Sequence, residues 1–275
     1  MITRFHGIDR HKKFWTVSVL DRDGKEVRFR RSCTMGEYVT DLDSKDAVVL
    51  EASCGSFYWA DRIEATGAKC YVLDPMRFRI ITDSWNKTDR QDARNVAKAL
   101  WVYLVTGEFG IPTVYKPSTT VRTLRRLFAT YNLLNRQVAM LKNAIQAMLL
   151  DDGVVLTSSQ LSRLFAGREA VAEVLNEYSL SATIVSAIET QAGLLRQVNE
   201  SKEALARQIV VQSAPLADQI TLLVTIAGIT PLTAAAFLAD IGEVTQTLEL
   251  VSRPRAPLPR LRWQKPPRAY HPGVA

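Results

Sequence analysis

The chain has 275 residues, 47% apolar and 23% charged, an ordinary globular composition that is long enough for one large or two modest domains. No apolar run is long and charge-free enough to span a membrane, and Met1-Ile2-Thr3-Arg4-Phe5-His6 lacks the apolar core of a signal peptide. The net charge of +7 is concentrated in residues 251–275, which carry six Arg or Lys and no acid, so the rest is nearly neutral and charge alone does not argue for a nucleic-acid partner.

Cys33, Cys54 and Cys70 show no metal-ligand spacing and carry no readable role. With no signal sequence they are expected to be reduced thiols of a soluble cytoplasmic protein with no membrane partner.

Residues 1 to 75 read as strands. Phe5 to Asp9 is a short apolar segment and Arg10-His11-Lys12-Lys13 a polar turn. Phe14 to Leu20 alternates as a half-buried strand does, with Trp15, Val17 and Val19 on one face. Asp21-Arg22-Asp23-Gly24 is a hairpin turn, from which Val27 to Arg31 returns antiparallel. A polar stretch leads to Ala47-Val48-Val49-Leu50, a continuous apolar run of the buried-strand type. Residues 57 to 66 suit a crossover helix ending before Gly67, and Lys69 to Leu73 a further strand. Hairpin-joined strands followed by alternating helix and strand predict a mixed sheet with helices on its faces, the order of the ribonuclease-H-like plan. Thr88 as N-cap, with Gln91 completing a capping box, predicts a helix from Asp89 to about Val105 that stops before Gly107.

From Ser118 the period changes. Leu124, Leu127, Tyr131, Leu134, Val138, Leu141, Ile145 and Met148 follow in steps of three and four, a coiled-coil seam broken by Asp151-Asp152-Gly153. A weaker run is Ile184, Ile188, Gln191, Leu195, Val198, Lys202, Leu205 and Ile209. Two long helices separated by shorter pieces predict an antiparallel pair or a dimerisation arm, with a linker packed on its own domain as the plain alternative. Residues 220–244 read as helix, tight turn at Gly228-Ile229-Thr230, and helix. Its second helix would offer backbone N–H groups to a phosphate, unless the turn is only a connector between core helices. Residues 248–275, rich in proline and arginine, have no periodicity and are expected to be disordered.

Four acids stand where two-metal phosphodiester cleavage would need them: Asp9 on the first strand, Glu51 at the end of the buried one, and Asp89 and Asp92 on one face of a helix start. Mg2+ prefers oxygen ligands, and Mn2+ can replace it, so Asp and Glu suffice. Each acid alone has a plainer account. Carboxylates in a first helical turn complement the dipole, and an acid ending a strand is commonly a solvated turn residue. His6 and His11 flank Asp9 and read as surface residues; His11 and Lys12 could touch phosphate, or form a solvated turn. Tyr58 and Trp59 could stack on bases or lie in the core.

Three stretches carry a resemblance: Gly7-Ile8-Asp9-Arg10-His11-Lys12, Glu51-Ala52-Ser53-Cys54-Gly55-Ser56-Phe57-Tyr58-Trp59, and Lys87-Thr88-Asp89-Arg90-Gln91-Asp92-Ala93. Together they resemble the DEDD transposases of insertion sequences guided by a bridge RNA. Ile226-Ala227-Gly228-Ile229-Thr230-Pro231 is similar to that family's helix-hairpin-helix segment, with Thr230 in place of a second Gly. The resemblance covers residues 5 to 247. It implies a RuvC-like nuclease domain over 1–117, a helical coiled-coil arm over 118–214 and part of a C-terminal domain over 215–247. Asp9, Glu51, Asp89 and Asp92 would be catalytic and hold Mg2+. Nucleic acid would meet His11, Lys12, Lys87, Arg90, Gly228 and Thr230. The partners implied are DNA, a guide (bridge) RNA and further copies of the chain through the arm, on the bacterial nucleoid.

The family's pattern continues past the hairpin with a Tyr-Ala-Gly-Leu stretch and a catalytic serine, supplied to the acidic site of another subunit. Neither follows Thr247 here, so a frame-shifted or fused tail and impaired recombination are expected. Two other readings stand beside the transposase: a Holliday-junction-resolvase-like nuclease, and a nucleic-acid-binding remnant without activity.

Overall fold

The structure, a computed structural model, describes residues 1–82, 88–107, 110–166 and 168–242. Lys87 and the tail from 243 onward lie outside the described residues. The chain forms two compact units, one running from Met1 to Lys116 and the other beginning at Pro117.

In the first unit, β1 (Arg4–Arg10), β2 (Trp15–Leu20) and β3 (Glu26–Cys33) form an antiparallel meander. Helix α1 (Met35–Thr40) then leads to β4 (Asp46–Glu51), which pairs parallel to β1. Helix α2 (Ser56–Glu64) crosses over to β5 (Lys69–Leu73), parallel to β4. The sheet order is β3-β2-β1-β4-β5. A mixed five-stranded sheet with helices on both faces is consistent with the ribonuclease-H-like plan.

Alternation along the strands sorts the core into two layers. Ile8, Trp15, Val17, Val48 and Leu50 pack with Tyr38 and Leu42 from α1 and its exit and with Ile63 of α2. Phe5, Leu20, Ala47, Val49 and Leu73 pack on the other face with α3 (Pro75–Thr82) and α4 (Asp89–Trp101). The middle of β4, Ala47 to Leu50, is continuously apolar because both of its faces are covered. Helix α4 ends in a π-helical turn, Val102–Thr106, closed by Gly107 at φ 70°. Helices α1 and α3 were not expected from the sequence: the first is only six residues long and has no apolar period of its own.

The contact of α4 with β1 depends on Gly7. A Cβ built there would come within 3.0 Å of Ala93 O, Ala97 N and Ala97 Cα, so the strand and the helix backbone meet with no side chain between them. Ala93 and Ala97, both fully buried, are the matching small residues on α4.

His6 corrects the sequence reading. It is not a surface residue but lies buried on the α1 side, its Nε2 2.9 Å from Asp46 Oδ1 and its Nδ1 2.8 Å from the Tyr38 hydroxyl. Arg4 donates to both Asp46 oxygens at 2.5 and 2.8 Å. Burial opposes the Asp46 charge, but hydrogen bonds from His6 and Arg4 outweigh it and hold the carboxyl well below the usual carboxylate range.

The second unit is helical. Helix α5 (Thr119–Asp151) is capped by Ser118; α6 (Ser158–Leu164), with a complete Thr157/Gln160 capping box, and α7 (Arg168–Leu175) lead to α8 (Ala182–Gln212), capped by Ser181. Ile145 and Leu149 near the end of α5 pack with Ile188 and Ala192 near the start of α8, while Leu124 and Phe128 pack with Ile209. The two long helices are therefore an antiparallel pair. Helices α9 (Ala217–Val224) and α10 (Pro231–Ile241) close one end through Leu216, Ala235, Leu238 and Ala239, where Arg125 donates to the carbonyls of Ala239 and Asp240. No helix among the described residues is long and apolar enough to cross a membrane.

Two substitutions check this packing. Gly7→Ala should lower the unfolding free energy by about 1–3 kcal/mol or more, the cost of overpacking. Gly36→Ala, in α1 with nothing within 4 Å, should raise it by about 0.5–1 kcal/mol; denaturant melts that show no such opposition would refute the α4–β1 contact. Asp46 stabilises the fold above the ordinary carboxyl value of 3.8, and that contribution is lost as pH falls through its depressed value. Asp46→Asn should therefore cost about 2–4 kcal/mol at pH 7, less than a wholly buried pair because Arg4 is partly exposed, with a deficit that narrows below pH 3.8.

Candidate metal centre

Asp9 and Glu51 leave neighbouring parallel strands. Ile8 pairs with Leu50, and each acid follows one residue later, on the face that α4 covers and about 4.8 Å apart at the backbone. Helix α4 begins over this same face. The Thr88 hydroxyl accepts from Gln91 N at 3.2 Å, starting the helix at Asp89 and setting Asp89 and Asp92 in its first turn. The expected capping box is only half made, since the Gln91 side chain donates to Asn95 instead.

The hairpin between β1 and β2 supplies the third element. His11 N donates to Phe14 O at 3.0 Å, and the two rings stack with centroids 4.6 Å apart. That turn aims the imidazole back over the strand end, with Nε2 3.3 Å from Asp9 Oδ2 and 3.6 Å from Asp89 Oδ2. Ligand atoms of Asp9, His11 and Asp89 all lie within 4.8 Å of one another. Burial pushes the Asp9 carboxyl above its ordinary value; the His11 ring opposes this, and the charges of Asp89 and Asp92 add to it.

Three polar atoms here are shielded from solvent without a well-aligned hydrogen bond: Arg10 Nε, His11 Nε2, and Oγ1 of Thr16, the residue paired across the strands with Asp9. Repelling acids around one ring nitrogen fit a divalent cation, which would relieve the repulsion.

Of the residues singled out in the sequence, Asp9 and Asp89 meet directly, Asp92 is near enough for its charge to act on Asp9, and Glu51 stands on the adjacent strand. Lys12 is exposed at the hairpin tip. Arg90 donates to Glu26 at 2.9 Å and lies over the Phe29 ring at 4.6 Å, tying the start of α4 to β3. Burial of Glu26 is outweighed by its hydrogen bonds from Arg90 and Ser18, which leave its carboxyl below the ordinary value. In the other unit, Gly228 takes φ 88° in the turn and Thr230 caps α10, accepting from Thr233 N at 3.2 Å. Tyr58 is half exposed, while Trp59 packs against Trp15 in the core with ring centroids 5.2 Å apart.

Arg10 was not foreseen as part of the site. Its guanidinium donates to Ser53 Oγ at 2.5 Å and to Cys54 O, holding the loop that follows Glu51. Its position directly after Asp9 was the one available signal. Burial pushes the Cys70 thiol up to about 12 and Cys33 above its ordinary value, so neither is a thiolate at neutral pH.

A family model described as Transposase, that of the DEDD transposases of IS110 type, matches residues 6–152, more than half of the chain. The chain belongs to this transposase family. No curated protein matches it. Membership makes it an insertion-sequence transposase of the nuclease and recombinase class, and DNA its partner. Such transposases are generally dependent on divalent metal, and the cluster at Asp9 is an acidic and histidine group able to hold one.

Burial and the like charges of Asp89 and Asp92 work against an ionised Asp9, which destabilises the transposase at neutral pH. Because the Asp9 pKa is raised, its contribution to stability is present at low pH and lost as pH rises through the raised value. In EDTA at pH 7, Asp9→Asn should therefore stabilise the protein by about 0.5–2 kcal/mol, the scale of single stabilising changes at functional sites. The gain should shrink as pH is lowered; a variant less stable than wild type under these conditions would contradict the repulsion.

Proposed function

We propose that this transposase cuts and exchanges DNA strands with Mg2+, guided by an RNA, through Asp9, Glu51, Asp89 and Asp92. One observation carries the reading: Asp9 from the first strand and Asp89 from a helix distant in sequence meet at the strand end where Glu51 also emerges. Bound metal would supply Lewis acidity at a phosphodiester and activate its nucleophile.

The protein's part is position and charge. The four carboxylates would hold the ions at the ends of two interior strands, and Arg10 would keep the Glu51 loop in place. Lys12 at the hairpin tip and Lys87 before α4 would meet phosphates flanking the scissile one, fixing the DNA in register without reading bases. Arg90, 61% exposed at its side chain, would add a phosphate contact while tethered to Glu26. In the second unit, the turn at Gly228 and Thr230 would receive another phosphate at the start of α10. The α5–α8 pair, with Leu133, Met140 and Leu194 exposed along it, would assemble copies and bind the guide RNA.

Strand exchange on donor and target DNA with the matching RNA tests this. Product should require Mg2+ and disappear in EDTA, and Asp92→Ala should reduce it by more than about 100-fold, beyond the loss typical of residues that merely support a metal ligand. Exchange that persists in Asp92→Ala would overturn the site.

A further inference from the structure

We infer that His11 is itself a metal ligand, making this a mixed nitrogen and oxygen centre that favours Mn2+ over Mg2+. The inference rests on the reading of the acids as metal ligands and adds to it the residue that decides which ion they take.

Geometry supports it. Around an ion with donors at about 2.0–2.1 Å, adjacent ligand atoms lie about 3 Å apart and opposite ones about 4.2 Å. His11 Nε2 stands 3.3 and 3.6 Å from one oxygen each of Asp9 and Asp89, and all three atoms fall within 4.8 Å, so one ion could touch all of them after small movements. The ring is also fixed in advance. Its backbone is held by the Phe14 carbonyl and its face by the Phe14 ring, so little side-chain freedom remains to be lost on binding. Nε2 itself is shielded from solvent, and its nearest neighbours are the two carboxylate oxygens, neither of them in good hydrogen-bond alignment with it.

The chemistry follows from ligand type. A carboxylate-only site suits Mg2+, a hard ion that keeps its waters, whereas an imidazole nitrogen favours transition-metal ions. Exchanging one oxygen ligand for His11 should tilt this site toward Mn2+. The other role open to the ring is that of a cation facing the two acids, in which case it would compete with metal.

Mn2+ alone, added to the EDTA-stripped full chain, separates the two roles. Pulsed electron paramagnetic resonance of bound Mn2+ should show coupling to an imidazole nitrogen in the wild type. His11→Gln should lose that signal and bind Mn2+ about 10-fold or more weaker by calorimetry, with a smaller change for Mg2+. Bound Mn2+ without nitrogen coupling, or a His11→Gln protein that binds Mn2+ as tightly as wild type or tighter, would overturn the ligand role of His11. The wild-type spectrum needs no variant, so misfolding of His11→Gln would leave it decisive. Failure of the wild type to bind Mn2+, or binding unchanged by Asp9→Asn, would instead overturn the metal reading of the acids.

Discussion

The direct contact of α4 with β1 across Gly7 is the constraint on which the site depends. A helix laid on a sheet is ordinarily separated from it by side chains, and that gap would carry Asp89 away from Asp9. Here the strand contributes a glycine and the helix contributes Ala93 and Ala97, so the two backbones touch. The helix start is then fixed from three sides: by the Thr88 cap, by the apolar stripe of Val96, Ala97 and Leu100, and by Arg90 on Glu26. Substitution at Gly7 would act on the metal centre although residue 7 carries no functional side chain.

The centre is a place where the fold opposes itself. Asp9 is pushed toward its protonated form by burial and by two further acids, and only the His11 ring, 3.3 Å away, opposes them. The same sheet holds the opposite arrangement a few residues away. On the α1 side, Asp46 is more fully enclosed but is met by Arg4 and His6, and its charge is strongly stabilised. Two aspartates on adjacent strands of one sheet thus have opposite electrostatic fates: the charge of one is stabilised from within the protein, the charge of the other is opposed by burial and by further acids.

In the second unit the long helices hold one another by their ends more than by their middles. The buried seam residues gather near Leu124 and Phe128 and near Ile145 and Leu149, where extra helices add a third wall. Between them Leu134, Val138 and Leu141 are only partly covered, as two helices alone cannot enclose a side chain from every direction. Arg125 adds a polar tie, satisfying the last carbonyls of α10.

Much of this was legible from local pattern. The period-two run of Trp15, Val17 and Val19, the continuous apolar run of β4, the Thr88 cap and the three-four spacing from Leu124 each depend on neighbours in sequence, and the structure forms a strand or a helix at each, although β2 is buried on both faces rather than half-buried. The family was also legible, because its motifs are short and local. Helices α1 and α3 were not, since both are short and owe their burial to partners elsewhere in the chain.

Tertiary structure decided the rest. His6 and His11 look alike in sequence, five residues apart around one aspartate. Strand alternation sends His6 to the opposite face, into a network with Tyr38 and Asp46, while a four-residue turn folds His11 back over Asp9. Arg90, read as a phosphate contact, is bound to a glutamate from a strand far away in sequence. The sequence by itself determined which residues could form strands, helix starts and acidic positions, because those properties are local. Which of them share a face, and at what distance, was set by sheet register and by the closeness that one glycine allows.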